Sequence, residues 1–280
     1  MPSFDTSEPI AVTAHVGAGS LRLAAGDRSE TVVEVRPRDP KRDKDVRAAE
    51  QTEIAYAGGE LTIRTKERRM LGPSGLVDVT VALPADSRVD ATGSWTQVIG
   101  VGRLGEVRVK TSGGDVRLDT TGPLALTVSH GSITVERVEG GAEVTASFGS
   151  LRFGTLSGSA VLKNSHGTTV VGAVIGDLRV SGANGDIDIA RAEGSVTATT
   201  AHGALRIADV ARGTVQMETS YGAIEVGIRE GTAAWIDASS GSGQVRNTLT
   251  VSDAPATTED TVEVRARTRH GNIDVLRARA

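Results

Sequence analysis

From about residue 87 to the C-terminus, apolar and polar positions alternate in short runs, and glycine punctuates every run. Gly105, Gly122, Gly140, Gly158, Gly176, Gly194, Gly213 and Gly231 form one series; Gly114, Gly131, Gly149, Gly167, Gly185, Gly203 and Gly222 form another. Steps within a series are 17 to 19 residues, mostly 18, and the second series trails the first by nine. The unit is an 18-residue coil of two unequal nine-residue halves. Gly194-Ser195-Val196-Thr197-Ala198 represents the first half, with small or apolar residues two and four places after glycine. Gly203-Ala204-Leu205-Arg206-Ile207-Ala208-Asp209-Val210 represents the second, with a third apolar residue at place seven. Alternation in twos predicts strands with one buried face. No run between corners is long enough for a helical crossover, so like strands must stack in parallel as the chain winds. The expectation is an all-β chain whose region 87–280 is a β-solenoid, each coil burying its apolar face against its neighbours.

The core positions can be named. Leu151, Phe153 and Leu156 are expected under Val170, Val171 and Val174, then Ile187, Ile189 and Ala192, then Leu205, Ile207 and Val210, with an irregularity at Thr169-Val170. Upstream by one period, Ser87 and Thr96 stand where the glycines would be, giving a degenerate first coil over 87–104. Residues 1–86, closed by Pro84, carry other alternating runs: Ile10 to Ala14, Leu21 to Leu23, Val32 to Val35, Leu61 to Ile63 and Val77 to Val81. They predict an N-terminal antiparallel or mixed β domain that seals one end, with one short helix at Asp43 to Glu50. Beyond residue 243 the period breaks, from Gly243 to Gly271 across a loop at 252–260, as expected of an irregular terminal cap.

An N-terminal β segment ending in Val77-Asp78-Val79-Thr80-Val81-Ala82-Leu83-Pro84, followed by serial units such as Ser129-His130-Gly131-Ser132-Ile133-Thr134-Val135, resembles the bacterial β-strand-repeat family of unknown function whose members are often labelled candidate adhesins. The resemblance spans nearly the whole chain. It implies a β-solenoid and no catalytic residue, because its motif encodes coil geometry.

One column stands out. The residue before each second-half glycine is Trp95, Gly113, His130, Phe148, His166, Asn184, His202 and Tyr221, and His270 joins in the last coil. Four of the five histidines and three of the seven aromatics fall there. The simpler reading is a corner ladder of flat side chains packed on one another; the sharper one is an exposed ridge that binds a partner or glycan. A shared metal is excluded by spacing. His130, His166 and His202 recur every two coils, roughly 9–10 Å apart, whereas zinc ligands sit about 2 Å from the ion. Asn184-Gly185-Asp186-Ile187-Asp188 comes nearest to a calcium-binding roll but lacks paired glycines and enough oxygen ligands. Ser129-His130 and Ser165-His166 repeat one coil position without a matched acid, so they make no triad. No phosphate loop or dinucleotide fingerprint occurs, and no cofactor is expected.

Composition narrows the classes further. With no cysteine, disulfides and thiolate metal sites are impossible, and the net charge of −4 gives no pull toward nucleic acid or anionic membrane. The basic residues Lys66, Arg68 and Arg69 lie in a loop, and Arg265, Arg267, Arg269, Arg277 and Arg279 are expected to guard the open edge of the last coil against end-to-end stacking. Met1-Pro2-Ser3-Phe4-Asp5 begins no export signal and no run approaches the ~20 apolar residues of a span, so a soluble, cytoplasmic chain is expected, with the cell surface as the alternative if a signal was removed. The function expected is a non-enzymatic scaffold presenting its repetitive face to a protein partner or to itself. An adhesin-like or glycan-binding protein is the alternative, and a polysaccharide-active β-helix enzyme a remote one.

Overall fold

A computed structural model describes residues 2–66, 75–249 and 260–278. Every regular element there is a strand except the helix Asp43–Glu50. The basic residues Arg68 and Arg69, the loop 252–259 and Arg279 lie outside the described residues. The chain forms two compact units, Met1–Glu139 and Gly140–Ala280.

In the second unit, two strands make each coil and like strands stack in parallel register. Ala142–Phe148 pairs with Ala160–His166, which pairs with Leu178–Asn184, then Val196–His202, then Gly213–Tyr221. The shorter second-half strands stack likewise, from Leu151–Leu156 through Thr169–Val174, Ile187–Ala192 and Leu205–Val210 to Ile224–Ile228. Leu151, Phe153, Leu156, Ile187, Ile189, Ala192, Leu205, Ile207 and Val210 are all buried, as the alternation predicted. One position differs: Thr169 turns inward and Val170 sits at the half-exposed surface, because the strand keeps the register Leu151 over Thr169 over Ile187. Each fully buried Leu or Ile contributes about 1.5–3 kcal/mol.

Stacking order departs from chain order at the end of this unit. The strands Thr261–His270 and Ile273–Arg277 pair directly with Gly213–Tyr221 and Ile224–Ile228. The earlier segment, Ala233–Ser242 and Val245–Asn247, pairs on the far side of that inserted coil. Arg265, Arg267 and Arg269 therefore belong to the second-last coil, flanked on both sides, and do not guard an open edge, while Arg277 pairs with Ile228 and donates to the Arg229 and Thr232 carbonyls. The reason is topological: the chain builds the outer coil first and returns to fill the gap.

The first unit repeats this device. Arg88–Leu104, a 17-residue strand, supplies both halves of one coil. It pairs onward with Val107–Gly113 and Val116–Thr121, which pair with Leu124–His130 and Ile133–Val138. On its other side it pairs, in parallel, with Ala11–His15 and Ala18–Gly26. Beyond those lie Glu60–Arg64 and Val77–Pro84, also parallel. The coil 11–26 is thus sandwiched between segments that follow it in sequence. Antiparallel strands cover the outside: Glu30–Pro37 on Val77–Pro84, Glu53–Ala57 on Glu60–Arg64, and Ser3–Asp5 on Glu30–Pro37. The helix is pinned by Asp45, whose buried carboxylate accepts the Leu76 and Asp39 amide N–H groups at 3.0 and 3.3 Å.

The corner glycines answer two different geometric demands. Gly185, in the second series, has φ of +140°, and a Cβ there would lie 2.2 Å from the Gly167 carbonyl oxygen. Gly194, in the first, needs no left-handed backbone, but a Cβ would meet the Gly176 carbonyl oxygen at 2.5 Å. At Gly194 the close approach of successive coils alone excludes a side chain, and at Gly185 backbone handedness and approach exclude it together, while Gly213 and Gly231 of the first series are themselves left-handed and Gly222 of the second is not.

Candidate functional site

The column before the second-half glycine emerges at the surface. In the second unit Phe148 stacks on His166 with ring centroids 4.7 Å apart and planes at 13°. Asn184 follows in register, between His166 and His202. His202 stacks on Tyr221 at 4.9 Å and 9°, and Tyr221 on His270 at 4.7 Å and 13°. Spacing near the inter-strand distance is what parallel in-register pairing imposes. Tyr221, with a ring on each face, is still 51% exposed because its rim faces solvent, and Phe148 is 48% exposed.

The first unit carries a shorter version. Trp95 stacks on His130 at 6.4 Å and 23°, two coils away. Gly113 between them makes this reach feasible: the indole lies across it, so that a Cβ on Gly113 would sit 2.3 Å from the Trp95 Cε3. Trp95 is 63% exposed.

What positions these rings is a second column, hidden inside. Two places before the ridge residue, an inward polar side chain donates to the corner glycine carbonyl of the neighbouring coil. Asn164 Nδ2 donates to Gly149 O at 3.0 Å, Thr219 Oγ1 to Gly203 O at 3.1 Å, Thr268 Oγ1 to Gly222 O at 3.0 Å and Ser240 Oγ to Gly271 O at 2.8 Å. The signal was present in the sequence as Asn164, Thr200, Thr219 and Thr268 at an otherwise apolar inward position. Corner carboxylates act similarly: Asp186 Oδ1 accepts the Ala204 amide at 2.8 Å and Asp177 Oδ1 the Ser195 amide at 3.1 Å. This gives Asp186, in the calcium-like stretch, a structural occupation. Among the described residues no group of three or more His, Asp or Glu could hold a metal ion.

Several charges elsewhere are paired. Arg229 donates to Asp209 at 2.6 Å and to Glu193 at 2.9 Å, bridging three successive turns. Its guanidinium hydrogen bond holds the Glu193 carboxyl below the ordinary carboxylate range, and Asp209, then Glu193, raise the Arg229 guanidinium. A shallow hollow of about 360 Å³ over the small residues Gly172, Ala190 and Ala208 has charged walls, but Arg206 pairs with Glu225 at 3.2 Å and Arg191 with Asp209 at 3.5 Å. The last coil differs: Trp235 and Val245 are 57% and 45% exposed there. No helix among the described residues is long and apolar enough to cross a membrane.

Comparison with known proteins bears on the whole chain. The family model for Toastrack DUF4097 matches residues 13–276. Among solved structures, a candidate adhesin of Parabacteroides merdae is 15% identical with a TM-score of 0.48, covering 81% of this chain and 94% of its own. A candidate lipid-binding protein of Parabacteroides distasonis is 13% identical at 0.44, covering 98% and 95%. A candidate adhesin of Bacteroides fragilis is 12% identical at 0.42, also covering 98% and 95%. No curated protein matches.

Proposed function

The chain belongs to the Toastrack DUF4097 family, and from that premise we propose that it is a non-enzymatic scaffold that docks a protein partner, or a second copy of itself, through the edge of its outermost coil. One observation carries this reading. Among the described residues, Ala233–Ser242 and Val245–Asn247 pair on one side only, with the inserted coil. A strand with an unpaired edge is a template for another strand. Ala233–Ser242 contains none of the Lys, Arg or Pro that usually blunt such an edge, and it exposes Trp235. The experiment is mass measurement by light scattering after size exclusion across a concentration series. The expected result is growth above 28.9 kDa with concentration, lost in Trp235→Lys with Val245→Lys. A strict monomer at every concentration would sink the self-docking form.

The exposed ring ladder of Phe148, His166, Asn184, His202 and Tyr221 favours a second reading, an adhesin-like contact strip for a surface or glycan. Replacing Phe148 and Tyr221 together by Ala would then abolish retention on that surface without lowering the melting temperature appreciably. Unchanged retention would leave the ladder a purely structural device.

A further inference from the structure

We propose that the hollow beside Trp95, in the first unit, is a saccharide-binding site. This goes beyond the edge-docking reading and does not depend on it. The hollow, about 230 Å³, is walled by two outward columns of side chains. In the first, register places His15 beside Thr92, Thr92 beside Lys110, and Lys110 beside Thr127. Ser94, Ser112 and Ser129 line it next to the ridge. No carboxylate and no large apolar side chain lines it, and hydroxyl groups predominate. Directly after Ser94, which lines the hollow, comes Trp95, the most exposed of the chain's large apolar side chains among the described residues.

The chemistry of that combination is specific. A pyranose has an apolar C–H face and a rim of hydroxyls, so it needs a flat aromatic surface bordered by donors and acceptors. Trp95 meets the first need because of what flanks it. On one side the indole covers Gly113. On the other, the residue in register is Ala18, which offers only a methyl group, so among the described residues no ring stacks on that face. Elsewhere in the column rings stack face to face and leave only their rims. Coils about 4.8 Å apart space Ser94, Ser112 and Ser129 so that successive hydroxyls can reach different hydroxyls of one sugar. Lys110 adds a cation within the same wall, which suits a ring oxygen or a sugar carboxylate. A phosphate would call for more cations than this wall holds, and an apolar peptide would call for apolar walls.

The test uses Trp95 as its own reporter. The chain has two tryptophans, so Trp235→Phe leaves Trp95 as the sole indole. In that background its fluorescence is titrated with the methyl glycosides of glucose, galactose and N-acetylglucosamine and with methyl glucuronoside. A saturable change with at least one of them is expected, with a dissociation constant on the order of 1 mM. Thr92→Val with Ser112→Ala keeps the reporter and should weaken binding about tenfold. Trp95→Ala, followed by saturation-transfer NMR of the same glycoside, should abolish it, and Tyr221→Ala should leave it unchanged. No saturable change with any of the four sugars overturns the proposal. So does binding that survives Trp95→Ala, or binding that the hydroxyl variant leaves intact.

Discussion

At the corner of each coil a single atom decides what the chain can carry. A Cβ at position 185 would enter the Gly167 carbonyl oxygen and would demand a left-handed backbone besides. Gly185→Ala is expected to cost roughly 3 kcal/mol, read as a lowered urea midpoint. Thr219 tests the inner polar column. Thr219→Val keeps the shape but strands the Gly203 carbonyl, and a loss of about 1–2 kcal/mol is expected in the same assay. These residues mark where sequence reading stopped short. Alternation rules treat Thr and Asn as outward-facing, so Thr169 and the column through Asn164 and Thr268 escaped them. A buried hydroxyl in a coil corner is satisfied by a neighbouring backbone carbonyl, and nothing in a hydropathy pattern registers that partner.

Strands were legible because their information is local. Every coil half declares its inward face by period two, and the runs at 10–14, 21–23, 32–35, 61–63 and 77–81 all lie in or against strands of the first unit. The ring ladder was legible for the same reason, since an 18-residue period converts sequence position directly into vertical position. Its exposure was not, because the same column could have packed under a loop. Stacking order was equally opaque: coils 233–247 and 261–277 offer the same alternating faces, so neither advertises which one touches 213–228. Between turns, Arg229 is a tie whose pH behaviour follows from its partners. The Glu193 carboxyl is held below its ordinary value of 4.5, so its contribution is fully present above that value and is lost as pH falls through the lowered one. Because the pair is about one-third exposed, at most about 1 kcal/mol is involved. Urea midpoints of wild type and Glu193→Gln should differ by a constant amount above pH 4.5 and converge below it.

For the molecule as a whole, the out-of-order coils make the last residues essential to everything that precedes them at that end. A chain stopped at residue 249 lacks the coil 261–277, and with it the only partner of 233–247 among the described residues. Deuterium exchange should then show residues 233–247 fully unprotected while 142–210 keep wild-type protection. Protection of 233–247 in the shortened chain would mean that it can stack directly on 213–228, and the insertion would not be obligatory.

In an ordinary stack of coils, a pull on the chain's end peels one turn at a time, each giving way at the force of a single ladder. Here the segment nearest each terminus that belongs to a coil, 11–26 at one end and 261–277 at the other, is gripped on both sides. Tension applied at either terminus must break two ladders at once before the first turn yields. Unravelling therefore begins with its hardest step, which favours a chain that stays whole when it is tugged, or when a processive protease takes hold of a terminus.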